Sequence, residues 1–313
     1  MPARTSSLSR RHLLLSAGVL PMAALAQRRP PAAPAVKAAR PVDIRIVEVT
    51  HDFEGHAYRT PYMFGGRSVD RVTILNVRCR VRTGTGRESW GFGSMTLGNA
   101  WAYPSAPQDA GLGAMMALAD ACRGITADCD DRGHPIDLWR VLEPAYLRAA
   151  GEVTTQRSLA TPLPILATLV VASAFDAAVH DAYGKAFGLS SYATYSREYM
   201  RQDLSRDLGP AFAGEYLDRY VPVQPRAETP VFHSVGASDA IEPTDLKTRV
   251  DDGLPNTLDE WIARDGLTHF KIKLNGGNGA QDFDRITRID KVVRRAMEAR
   301  RVADWHYLLD FNE

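Results

Sequence analysis

Phe270-Lys271-Ile272-Lys273-Leu274 and His306-Tyr307-Leu308-Leu309-Asp310-Phe311-Asn312-Glu313 decide how this chain is read. On a strand, residues two apart share a face. Lys271 and Lys273 therefore point one way, and Phe270, Ile272 and Leu274 the other. In the later segment Asp310 and Asn312 share a face, and Tyr307, Leu309 and Phe311 take its opposite. An exposed edge strand could carry such a pattern for no functional reason. A parallel strand covered by helices could not do so cheaply, because both faces are buried and an unpaired ammonium there is costly.

The neighbouring segments argue for a parallel sheet. Residues 230–235 read as a short strand, 257–264 as a short helix, 268–274 as a second strand and 306–311 as a third. Between the last two, residues 281–300 form an amphipathic pattern with Phe283, Ile286, Ile289, Val292, Val293 and Ala296 on one face. Strand–helix alternation of this kind marks parallel sheet. No Gly-x-Gly-x-x-Gly or P-loop accompanies it, which argues against a nucleotide fold.

Both polar pairs fall near the carboxyl ends of adjacent strands, the catalytic end of an α/β barrel. A carboxylate there can hold a hard cation such as Mg²⁺. A lysine beside another cation has its pKa depressed and can act as a free amine. Together these could remove the proton α to a carboxylate. On spacing alone, a structural salt-bridge cluster accounts for the same residues equally well.

Upstream the rhythm differs. Residues 43–51 and 72–81 alternate apolar and polar, a third strand is expected near 88–92, and a loop is expected over 53–67 around Pro61. Helical spacing follows over 108–122, 136–150 and 164–183, with Gly184 and Gly188 ending the last. Residues 163–175 carry no charge, but 13 residues are too few to span a bilayer, so a central bundle helix is expected. A sheet followed by helices predicts an α+β domain over 43–220, with barrel-type sheet over 221–313.

The first 26 residues read as a removable signal. Arg10-Arg11 opens an apolar run ending in Ala24-Leu25-Ala26, a small-x-small cleavage pattern. The paired arginines predict export through the twin-arginine pathway to the periplasm. Residues 27–42, rich in Pro and Ala, are expected to be a linker. Cutting after Ala26 removes three arginines and no acids from 38 basic and 37 acidic residues. The mature charge of about −2 calls for neither nucleic acid nor an anionic membrane as partner. Cys79, Cys122 and Cys129 have no metal-ligand spacing and are expected to be core or surface thiols.

With these motifs in place, the chain resembles the enolase superfamily, in its mandelate racemase/muconate lactonizing enzyme branch. Lys271-Ile272-Lys273 resembles that branch's Lys-x-Lys motif, and Asp310-Phe311-Asn312 its Asp-x-Asn on the next strand. The resemblance implies Lys273 as base, Lys271 as the residue that tunes and orients it, Asp310 as first Mg²⁺ ligand and Asn312 in support. Ala174 to Gly188 is similar to the long helix of the family's N-terminal capping domain, and residues 58–67 and 90–101 correspond to loops that close over substrate. The second loop departs from the frequent Gly-x-Gly-Glu pattern, reading Gly91-Phe92-Gly93-Ser94.

The implied fold is an α+β capping domain followed by the first three strands of a TIM-type α/β barrel, incomplete as given. A full barrel takes about 250 residues. The family's remaining ligands and second acid/base fall on later strands. The expectation is therefore a fragment of a dehydratase, racemase/epimerase or cycloisomerase acting on a small carboxylate such as an acid sugar, inactive by itself. The other reading is a non-catalytic periplasmic binding or scaffold protein that keeps the fold. Homo-oligomerisation, common in the family, stays open.

Overall fold

The computed structural model describes residues 40–313 apart from 65–66, 223, 225, 275–276 and 312–313. The signal expected over 1–26 lies outside the described residues, as does the linker up to residue 39.

Three strands, β1 (Ile44–Phe64), β2 (Arg67–Thr83) and β3 (Glu88–Thr96), form an antiparallel sheet in that order. Strict alternation makes it one-sided: Leu75, Val77, Cys79 and Val81 are buried. The intervening Arg80 and Arg82 meet Glu48 and Glu88 on the other face. The loop expected over 53–67 is not a loop. β1 pairs with β2 from Phe53↔Leu75 to Ala57↔Arg71 and again from Tyr62↔Val69, making a long two-stranded ribbon. A register shift between Ala57 and Tyr62 takes Pro61 out of the ladder, so its missing N–H breaks no pairing. The second expected loop is likewise ordered: β3 runs to Thr96 and a short helix, α1 (Asn99–Ala102), follows.

Helices α2 (Gln108–Ala127) and α4 (Ile165–Phe187) cover the apolar face, and α3 (Pro135–Gln156) packs against both of them. At the start of α3, His134 Nδ1 accepts the Ile136 N–H and the Asp137 carboxylate accepts the His134 N–H. This reciprocal cap satisfies two amides the helix cannot. α4 ends at Gly188, whose φ of 70° suits a residue without Cβ; Gly184, expected to share that role, lies inside the helix. At 23 residues α4 is long and apolar enough to cross a membrane. Here Ala167, Val171, Ala174, Phe175, Ala178 and Ala182 are buried in the core it shares with the sheet.

The seam between β3 and α4 is unusually close. A Cβ on Gly91 would collide with the backbone of Ala178 and Ala182, and one on Gly93 with that of Ala174 and Ala178. The Gly91-x-Gly93 spacing thus puts two bare backbone positions against the helix. Phe92 between them donates its N–H to Asp181 at 2.8 Å.

A short helix α5 (Ser205–Leu208) leads into the second region: β4 (His233–Val235), α6 (Leu258–Asp265), β5 (His269–Lys273), α7 (Gly279–Arg300) and β6 (His306–Asp310). The three strands are parallel in the order β4-β5-β6. Phe270, Ile272 and Leu274 pack against Ile262, Ile289, Val293 and Met297 from the two helices. β6 fulfils its expected pattern only in part. Tyr307 joins this core, but Leu309 is 40% exposed, because β6 is a sheet edge among the described residues. Three parallel strands are present there, and they do not close a barrel. All three cysteines are free; burial pushes the Cys79 thiol up to about 12.

Candidate active site

Register sets the site. Lys273 lies directly opposite Asp310, and Lys271 opposite Leu308 on β6 and Ser234 on β4. Since Phe270, Ile272 and Leu274 fill the helix-facing core, the lysines take the other face, as alternation predicts. Asp310 Oδ2 accepts from both: Lys271 Nζ at 2.9 Å and Lys273 Nζ at 3.0 Å. Their side chains are 35% and 5% exposed respectively, and that of Asp310 22%. Three of the four expected residues therefore form one cluster. The fourth, Asn312, lies outside the described residues.

The electrostatics follow from this sharing. The pKa of Lys271 is raised, chiefly by the hydrogen bond to Asp310, with burial opposing and the charge of Asp310 adding. An ammonium is the favoured form of Lys271 here.

Residues from far along the chain complete the surroundings. Arg59 on the ribbon grips residues 252–255, which precede α6. Its Nε and Nη2 donate to the two Asp252 oxygens at 2.6 and 2.9 Å, and Nη1 donates to the Pro255 carbonyl at 3.0 Å. The receiving segment is prepared by Arg249–Glu260 and by Asn256, which bonds Val250 and Leu254. A cleft of about 720 Å³ lies between the ribbon (Arg59, Pro61, Ser68) and the carboxyl end of β4 (Ser234, Asp239). Arg59, Tyr62 and Ser234 were not singled out from the sequence, although the first two fall in the 58–67 segment that the resemblance marked and Ser234 on a strand expected beside Lys271.

Other residues singled out by the sequence fall elsewhere. His233 pairs in register with Phe270 and stacks 5.6 Å from Trp261 of α6, on the helix side of the sheet. His180 meets Asp176 and Tyr195 inside the first domain. His51 pairs with Asp120, and His56 with Glu54. Trp90 lies on the outer sheet face under Arg80, whereas Trp101 lines a second cavity of about 250 Å³ with Tyr58 and Tyr62.

Magnesium does not fit the described residues. No group of three His, Cys, Asp or Glu among them is placed to hold a metal. Asp310 offers one carboxylate, and one of its oxygens is already engaged by both lysine side chains. Mg²⁺ gives up its waters reluctantly and needs more than this.

No family model and no curated protein sequence matches the chain. Solved structures do. One is an enolase from Bradyrhizobium complexed with magnesium and mandelic acid, 16% identical, with 86% of this chain and 54% of that one covered at a TM-score of 0.46. Another is the L-Ala-D/L-Glu epimerase of Bacillus subtilis, 15% identical over 86% and 54%, TM-score 0.44. A third is L-talarate dehydratase from Polaromonas sp. with Mg and L-glucarate, 15% identical over 86% and 55%, TM-score 0.41. The chain spans about half the length of the structures it resembles.

Proposed function

We propose that this chain belongs to the mandelate racemase/muconate lactonizing enzyme branch of the enolase superfamily and carries part of a site that removes the proton α to a carboxylate. The observation that carries the reading is the pairing of Lys271 and Lys273 on one carboxylate, at the carboxyl end of a parallel sheet whose opposite face is packed with apolar side chains. Such a cluster holds a substrate carboxylate through Lys271, which stays an ammonium, and presents Lys273 to the neighbouring carbon. Asp310 orients both amines. Magnesium would supply charge stabilisation in a complete site. The described ligand set does not hold it, so the 313-residue chain by itself is proposed not to turn over. Export to the periplasm rests on Arg10-Arg11 and the apolar run after them.

The test has two arms. Isotope exchange of α-protons in 2-hydroxy acids, followed by NMR in D₂O with and without Mg²⁺, is expected to show none with the purified chain. Exchange above background would overturn the claim of inactivity. Small carboxylates are expected to bind, and Lys271→Met with Lys273→Met to abolish that binding. Lysine-independent binding, or none, would leave a scaffold protein as the better account. That second reading is favoured by one observation, the absence of a three-ligand metal group among the described residues.

A further inference from the structure

The face of the parallel sheet that carries the lysines extends beyond them. Residues two apart on a strand share a face, so His269 lies on the face of Lys271 and Lys273, and His306 on that of Asp310. β5 and β6 are in register with His269 directly opposite His306. Their imidazoles lie against each other, with ring centroids 4.5 Å apart and planes inclined by 44°. Four residues of strand, about 13 Å, separate this pair from Lys273. It sits at the amino end of the sheet, and the functional reading above makes no use of it.

Each ring is held from outside through one of its nitrogens. His269 Nδ1 is 2.9 Å from the Thr268 hydroxyl, and the Phe232 ring stands edge-on to the same imidazole at 5.1 Å. His306 Nε2 is 3.6 Å from the Asp304 carboxylate. A carboxylate only accepts, which favours the proton on Nε2 of His306 and leaves the lone pair on Nδ1. With Thr268 accepting from Nδ1 of His269, the lone pair there lies on Nε2. An outer partner that fixes one nitrogen and leaves the other as donor is how proteins prepare a histidine for a metal. The pair is also reachable, since the His306 side chain is 51% exposed.

We infer that His269 and His306 form a two-imidazole site for a borderline divalent transition ion, of the copper, nickel or zinc class, which ties β6 to β5. Such ions take imidazole nitrogen, whereas Mg²⁺ takes oxygen. No third His, Cys, Asp or Glu among the described residues joins the pair, so water completes the shell. His233 is no candidate, because it lies on the helix side of the sheet against Trp261. The ion acts on the same two strands that carry Lys273 and Asp310, and it holds their register from the other end.

The experiment is copper binding to the full chain without an affinity tag. At one Cu²⁺ per chain, electron paramagnetic resonance is expected to show coupling to two imidazole nitrogens. Calorimetry should place Cu²⁺ ahead of Ni²⁺ and Zn²⁺, with excess Mg²⁺ unable to compete. His306→Ala and His269→Gln should each weaken the ion by about a hundredfold, and Thr268→Val, which removes only the outer partner, by about tenfold. Lys273→Met should leave copper affinity within about twofold, because the two sites share no partner. Exchange of the β6 amides should slow when the ion binds. The spectrum of the parent chain stands even if a variant fails to fold. Coupling to one imidazole or to none overturns the inference. So does copper affinity that is unchanged in the folded double histidine variant, in which case the ion is adventitious and sits on another histidine such as the exposed His56.

Discussion

In the antiparallel region the apolar face of the sheet is fully roofed: Leu75, Val77, Cys79 and Val81 are buried with α4, and the polar face is laced by Arg80, Arg82, Glu48 and Glu88. The parallel region is covered on one side only. Its helix-facing residues Phe270, Ile272 and Leu274 are fully buried, whereas Leu308, on the lysine side of the edge strand, is 46% exposed. The first region draws its stability from packing, while the second adds a charged cluster on the face away from its helices, with Lys273 nearly buried and Lys271 at the rim. A buried amine is costly unless paired, and Lys273 is kept there by its contact with Asp310.

The sharpest way to break this contrast is to strain the packed region. Gly91→Ala or Gly93→Ala forces a methyl into the helix backbone and is expected to cost about 3 kcal/mol or more, read as a fall in the urea midpoint of unfolding. A loss below about 1 kcal/mol would mean that the seam relaxes and packing is not what holds this region.

In the parallel region the asymmetry should lie between partners. Asp310→Asn removes the negative charge that two lysines share and is expected to destabilise by about 1–3 kcal/mol. Lys273→Met leaves Asp310 paired with Lys271 and should stay within about 1 kcal/mol of the parent. Faster hydrogen exchange of the β5 amides in the first variant only would confirm the direction. Equal effects would show that the cluster is not a shared-acceptor arrangement.

A smaller effect concerns acid. Burial holds the His134 pKa down to about 3, below its usual 6.5, with the charge of His180 adding to this. Unfolded chains take up this proton first, so the contribution to stability is intact above pH 6.5 and is lost progressively as pH falls towards 3. His180 is lowered by burial in the same sense, while burial raises Asp176 and opposes it. His134→Asn keeps a capping side chain and should flatten the decline of melting temperature across that window. Parallel declines in both proteins would remove His134 from the account.

The smallest expected change is Arg59→Ala. Arg59 and Asp252 are partly solvent-exposed, and such pairs contribute little. Faster exchange of amides in the ribbon, with an unchanged unfolding midpoint, is the expected result.

Much of this was legible in the sequence because it is local. Alternation in residues 270–274 placed both lysines on one face, and the 3.6-residue rhythm after Gly279 outlined α7. Asp310 could be placed opposite Lys273 once both strands were read as parallel neighbours. That its carboxylate takes both amines at once depends on side-chain reach, which the sequence does not carry. The ribbon was misread because Pro61 signals a loop unless one knows that a register break removes it from the ladder. Arg59 falls in the 58–67 segment that the resemblance marked, but its partner lies 193 residues away and left no local signal.

That separation has a kinetic consequence. Arg59 and Asp252 are 193 residues apart in sequence. Joining them means closing a very long loop, an entropic cost that a single exposed pair cannot repay. The grip therefore forms only after both regions have folded, and it contributes nothing to the nucleus of either. By the same reasoning its loss speeds opening without slowing folding, so the ribbon can detach and re-dock many times within the lifetime of one folded molecule.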